Sequence, residues 1–171
     1  LIVYGLTDMN QLVSFNARNP EYFISRTSIT GIGSGEQLIS IDFRPATGEL
    51  YALSDASKLY VINSRTSASR VVSNTAFTPA ISGDIASIDF NPTVDRIRLV
   101  TSTGQNLRIN PETGVTAATD MGIKGGGKTP SVTGIAYSNS KAGATATTLF
   151  DIDMTSGKLF RQDPPNDGTL I

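Results

Sequence analysis

The chain has 171 residues, with Lys+Arg 14 against Asp+Glu 15, no His, no Cys and no Trp. That length suits one domain with a substantial core, or a short repeat array. Without His or Cys there is no Ser-His-Asp or Cys-His nucleophile, no disulfide, no haem or blue-copper ligation and no ordinary zinc site. A formal net charge of −1 gives no field to hold nucleic acid or an anionic membrane, so neither is expected as a partner. What remains is Asp/Glu/carbonyl metal binding and carboxylate, Lys, Tyr or Arg chemistry.

Taken in chain order, Leu1 to Leu6 is apolar, too short to span a bilayer and not preceded by a basic segment, so it reads as a strand. Gln11 to Asn16 reads as the next. From there the chain repeats itself. Ser40-Ile41-Asp42-Phe43-Arg44-Pro45 recurs as Ser87-Ile88-Asp89-Phe90-Asn91-Pro92, and in weaker form as Gly134-Ile135-Ala136-Tyr137-Ser138-Asn139, at a period of 47 residues. Each copy is followed by a second run (Glu49 to Ser54, Arg96 to Thr101, Thr148 to Asp153) and a third (Lys58 to Asn63, Asn106 to Asn110, Lys158 to Arg161), the third echoing Gln11 to Asn16. Ser69 to Ser73 and Gly114 to Ala118 supply a fourth. Thr-Gly, Ser-Gly and Asn-Pro turns separate the runs, and no stretch sustains the i, i+3, i+4 spacing of a helix.

Four short antiparallel strands in about 45 residues is the size of a propeller blade. The expectation is therefore an all-β, β-propeller-like array of about four four-stranded antiparallel blades. It forms a single domain over 1–171 with approximate units 1–35, 36–82, 83–130 and 131–171. The chain enters at the second strand of a blade, so closure calls for the other terminus to supply the missing first strand. At this period the length gives about 3.6 blades. Three alternatives follow: a small closed array, a chain truncated at Ile171, or an open end completed by another chain.

The runs Ile41 to Leu53, Asp89 to Arg98 and Gly104 to Pro111, and the tail Gln162 to Leu170, resemble a family of secreted bacterial proteins known only as a domain of unknown function. The resemblance covers nearly the whole chain. It implies a propeller-like fold and an exported location, and carries over no catalytic residue. A Ser- and Thr-rich composition with few lysines fits a secreted or cell-surface protein as well.

Five groups of residues invite a functional reading. Gly122 to Thr129 matches the phosphate-loop pattern G-x-x-x-x-G-K-T, but Pro130 follows at once and a strand, not a helix, comes next; a Gly-rich connection is the better account. Asp42 and Asp89 sit at equivalent places on first strands, which line a propeller's channel, so they would converge on a cation or ligand, or else cap turns or pair with Arg. Arg96, Arg98 and Arg108, with Gln105 and Asn106 at the turn between them, make the most polar blade. They would grip a carboxylate or sugar, or form an ion-pair lattice with Asp89 and Asp95. Asp151 and Asp153 share a strand face ahead of a Gly turn, offering hard oxygens to Ca²⁺ as a cofactor; the alternative is a solvated turn. The recurring Tyr4, Tyr51, Tyr60, Phe43, Phe90 and Phe150 read as blade packing.

Function is less legible than architecture. The reading is a secreted, non-enzymatic propeller-like scaffold for extracellular binding, adhesion or assembly. The alternatives are a structural subunit polymerising through its terminal strand edges, and a calcium-dependent propeller hydrolase or lyase with Asp42, Asp89 and Asn106 among its ligands.

Overall fold

The computed structural model describes residues 1–127 and 129–171, and the chain in it is all-β. The helical content among the described residues is a single 3₁₀ turn, Pro165–Asp167. The strands form four sheets arranged as a four-bladed β-propeller. The first sheet contains β1 (Ile2–Leu6), β2 (Gln11–Asn16) and β3 (Asn19–Ser28) in that order. The second runs β4 (Leu38–Phe43), β5 (Leu50–Ser54), β6 (Leu59–Ile62), β7 (Ser69–Val71). The third runs β8 (Ala86–Asn91), β9 (Arg96–Thr101), β10 (Asn106–Ile109), β11 (Thr116–Thr119). The fourth has β13 (Val132–Tyr137), β14 (Leu149–Asp153), β15 (Lys158–Gln162), β16 (Thr169–Leu170) and finally β12 (Lys124–Gly125).

The repeat is visible in the backbone as well as in the letters. Asn10, Ser57 and Gly104 each occupy the left-handed region in the hairpin between second and third strands, spaced by the same 47 residues. Gly48 and Asp95, one repeat apart between first and second strands, do likewise. A hairpin whose chain must reverse with the right-handed twist of its strands calls for a positive φ, which Gly, Asn and Asp reach at least cost.

One expectation fails. The C-terminal strand does not complete the first blade, which keeps three strands. Instead β16 pairs antiparallel with β15 and parallel with β12, extending the fourth sheet. The reason is local. The 3₁₀ turn ends on Gly168 in a left-handed conformation, reversing the chain at once. The Met121 and Lys124 amides then donate to the carbonyls of Asn166 and Gly168 at 3.1 and 2.8 Å.

Three apolar cores separate the four sheets. Leu12, Leu38, Leu50, Ala52, Tyr60 and Ile62 fill the space between the first two blades. Leu53, Val61, Ile88, Phe90, Ile97, Leu99, Leu107 and Ile109 fill the next, and Val100, Val132, Tyr137, Leu149 and Leu170 the last. The middle blades are covered on both faces, so β5 and β6 are buried at every position. Tyr51 meets Phe90 edge-on at 5.1 Å and Tyr4 meets Phe43 at 5.3 Å, which confirms the aromatic repeat as packing. The terminal blades each leave a face open. On the fourth, Ile152 and Leu159, paired across β14 and β15, are 54% and 65% exposed. On the first, Phe23 lies tilted against Phe15, with ring centroids 6.4 Å apart, and is half exposed.

Candidate functional site

The inner strands β4, β8 and β13 lie side by side, and the Ser-x-Asp of the second and of the third blade joins each to the next. Ser40 Oγ and Asp42 Oδ2 accept the amides of Ile88 and Phe90, at 3.1 and 2.8 Å. One blade later, Ser87 Oγ and Asp89 Oδ2 accept those of Ile135 and Tyr137, at 3.1 and 2.7 Å. Each inner-strand side chain thus satisfies the unpaired edge of its neighbour, a use the sequence repeat alone did not reveal. The fourth blade carries Gly134 and Ala136 at these positions and has no such acceptors. Burial pushes Asp42 up to about 6 against the Phe90 and Phe43 amides that favour its charge. Burial, then the charge of Asp42, pushes Asp89 up to about 8. Both carboxyls are thus held above the usual carboxylate range, with burial as the first cause for each.

The basic cluster of the third blade is occupied by its own protein. Arg98, opposite Arg108 on the neighbouring strand, is 2% exposed. Its guanidinium donates to Asp120 at 2.6 Å, Asn166 at 2.7 Å, Asn106 at 2.8 Å and the Tyr137 hydroxyl at 3.3 Å. Arg108 grips the same Asp120 with two bonds of 2.8 Å. Burial works to raise the Asp120 carboxyl, but the two guanidinium groups hold it below the usual carboxylate range. The lattice foreseen as an alternative exists, with different anions. Asp120 takes Arg98 and Arg108, whereas Asp95 takes Arg44 of the preceding blade, and Asp89 serves the Tyr137 amide. The Arg96 guanidinium donates to the Asp95 carbonyl, at 2.9 Å. Gln105 spans to the Ala80 carbonyl and the Ser82 amide, closing a loop. Asp120, Asn166 and Arg44 had no distinguishing signal; none stands in a repeated motif beside its partner.

Asp151 and Asp153 do share a face, but in a buried place rather than a solvated turn, at 0% and 2% exposed. Asp153 is saturated: the amides of Ser131, Thr155 and Ser156 and the Ser156 hydroxyl all donate to it. Burial opposes its ionisation, yet these four donors hold its pKa low. Asp151 is the reverse. Neither of its carboxylate oxygens finds a donor among the described residues, and neither does Oε1 of Gln162, which lies diagonally across β14 and β15 on the same face. Burial pushes the Asp151 carboxyl up to about 7, with Arg98 pulling the other way. Among the described residues no group of three or more acidic side chains is placed to hold a metal ion.

The phosphate-loop pattern includes Lys128, which lies outside the described residues. On either side of it, Lys124–Gly125 and Val132–Tyr137 are strands, and no helix begins among the described residues of this stretch to present free amides to a phosphate.

One cleft has no counterpart in the sequence reading. It has a volume of about 490 Å³ and opens where the β1–β2 turn, the start of β4 and the start of β8 come together. Leu6, Leu38, Ile39, Ile85 and Ala86 form its apolar part, with Asp8 and Asp84 exposed at its walls. Its residues come from three blades and from turns outside the repeated motif, so no spacing in the sequence points to it.

Four mainly antiparallel sheets set around shared inner strands, each stitched to the next, define the class: a β-propeller. A family model described as a domain of unknown function (DUF4394) matches residues 11–171, and the chain belongs to that family. No curated protein matches it. No helix among the described residues is long and apolar enough to cross a membrane.

Proposed function

We propose that the protein is a non-enzymatic propeller scaffold, exported from the cell, that works by binding in the cleft where three of its blades meet. One contrast carries this reading. Arg44, Arg98 and Arg108 are tied to Asp95 and Asp120 inside the fold, so they are framework, while a ligand-sized cleft opens where three blades meet. The channel carboxylates Asp42 and Asp89 hold the neighbouring strands, which supports a structural use for them over a catalytic one. A ligand screen by ¹⁵N-resolved NMR with a broad panel of sugars, peptides, amines and organic acids tests the reading. Shifts clustered at Thr7–Asn10, Gln37–Ile39 and Asp84–Ala86 support it. Turnover of any panel member, or ligands that gather only elsewhere, would defeat it.

A second reading, assembly through the terminal blades, is favoured by the exposed Ile152 and Leu159 on one open face and Phe23 on the other. Light scattering of the protein beside the Ile152→Ser/Leu159→Ser variant tests it. A concentration-dependent oligomer that the variant dissolves supports assembly; a monomer in both does not.

A further inference from the structure

We propose that the cleft between the first three blades takes a small organic cation, an amine or guanidinium carried on a hydrocarbon chain; this rests on the reading of the protein as a binding module. Two carboxylates stand on its walls, Asp8 in the turn after β1 and Asp84 just before β8, and no Lys or Arg lines it. Several acidic side chains elsewhere in the fold are engaged. Asp42 and Asp153 cap backbone amides, and Asp95 and Asp120 pair with Arg. Beside the cleft itself, Glu36 is neutralised by Lys58 at 2.7 Å and Asp55 accepts the Gln37 amide at 2.9 Å. Asp8 and Asp84 alone of this neighbourhood have neither an ion pair nor a hydrogen bond among the described residues. Two like charges over low-dielectric walls add their potentials, and so draw in a cation and repel an anion.

The rest of the lining selects among cations. Leu38, Ile39 and Ile85 give an apolar floor, and Ile85 is 38% exposed there. A bare divalent ion needs about six to eight oxygen ligands and gains nothing from hydrocarbon. An alkyl ammonium or guanidinium ion is served by both parts, its chain on the floor and its charge at the wall. The walls are built before any ligand arrives. Thr7 Oγ1 accepts the amides of Met9 and Gln11, and Asn10 Oδ1 accepts from the Leu38 amide and the Gln37 side chain, which ties the first blade to the second.

The test is an NMR titration of the full chain at low ionic strength with hexane-1,6-diamine, its neutral counterpart hexane-1,6-diol, and adipate. The expected result is saturable shifts at Thr7–Asn10, Gln37–Ile39 and Ile85–Ala86 with the diamine. The diol should bind about tenfold more weakly and adipate not at all, since two wall ion pairs are worth roughly one order of magnitude. The Asp8→Asn/Asp84→Asn variant should melt as the parent does and lose about tenfold of the diamine affinity, as should the parent in high salt. Equal binding of diol and diamine, or undiminished diamine binding by the variant, overturns the cation preference while leaving the binding module standing. No cleft shifts with any of the three overturns the proposal, and the broad panel then decides the module reading separately.

Discussion

Replacing Asp151 by Asn should make the protein more stable, and the gain should depend on pH. Asp151 is 0% exposed, has no donor for either carboxylate oxygen among the described residues, and is pushed by burial up to about 7 from an ordinary value of 3.8. A carboxyl whose folded pKa is raised favours folding only while protonated. Its contribution is intact below about pH 4, declines as the unfolded chain ionises, and is lost once the pH passes about 7. At ~1.4 kcal/mol per pKa unit, a shift of about three units bounds the penalty at ~4 kcal/mol above neutrality. An Asn amide still wants partners, and its NH₂ has the orphaned Gln162 Oε1 on the same face to donate to, so a net gain of about 2 kcal/mol is expected at pH 8. For a chain of this size that is a rise of about 4–8 °C in Tm. Calorimetry of parent and variant from pH 4 to pH 8 provides the check. The difference should be near zero at pH 4, grow toward pH 7 and then level off. Asp42 and Asp89, raised in the same direction, cancel in the difference. A variant less stable than the parent at pH 8, or a difference that does not vary with pH, would refute the reasoning; loss of a calcium-dependent stabilisation would instead give Asp151 to a metal.

Arg98→Met should cost about 3–5 kcal/mol in urea unfolding, because it leaves Asp120 buried with Arg108 alone, and Arg98→Met/Asp120→Asn should recover part of that loss. Asp89→Ala leaves the Tyr137 amide without its acceptor and should cost about 1–3 kcal/mol, whereas Asp89→Asn, which keeps an acceptor oxygen, should cost less than half as much; denaturation at pH 6 separates the two. Gly125→Ala should detach the β12–β16 pairing, since a Cβ there would stand 2.6 Å from the Leu170 carbonyl oxygen in a left-handed backbone. Amide exchange at Lys124 and Leu170 should then accelerate while the middle blades keep their protection.

What was legible in the sequence is what is local and repeated. Strand runs, turn residues and the 47-residue period each recur, and recurrence separates signal from chance. Inner strands such as Ser40 to Phe43 and Ser87 to Phe90 were therefore placed correctly. The candidate sites were less legible because a charged side chain carries no label of its partner. Arg98 finds Asp120 and Asn166, 22 and 68 residues away, through the packing of two blades. Asp153 reads as a solvated turn until Ser131, from the neighbouring strand's approach, is brought against it.

The sequence by itself determined an all-β propeller, its blade period, the entry at a second strand, and the absence of histidine and thiol chemistry, since each depends on composition or on neighbours a few residues apart. Only the tertiary structure decided that the last strand extends the fourth blade, and that the Ser-x-Asp motifs stitch one inner strand to the next. It likewise left Asp151 buried without a donor among the described residues and gathered Asp8 and Asp84 from two blades around one cleft. Those outcomes depend on which surfaces meet when the sheets pack, and burial, pairing and pKa are properties of that meeting rather than of any residue alone.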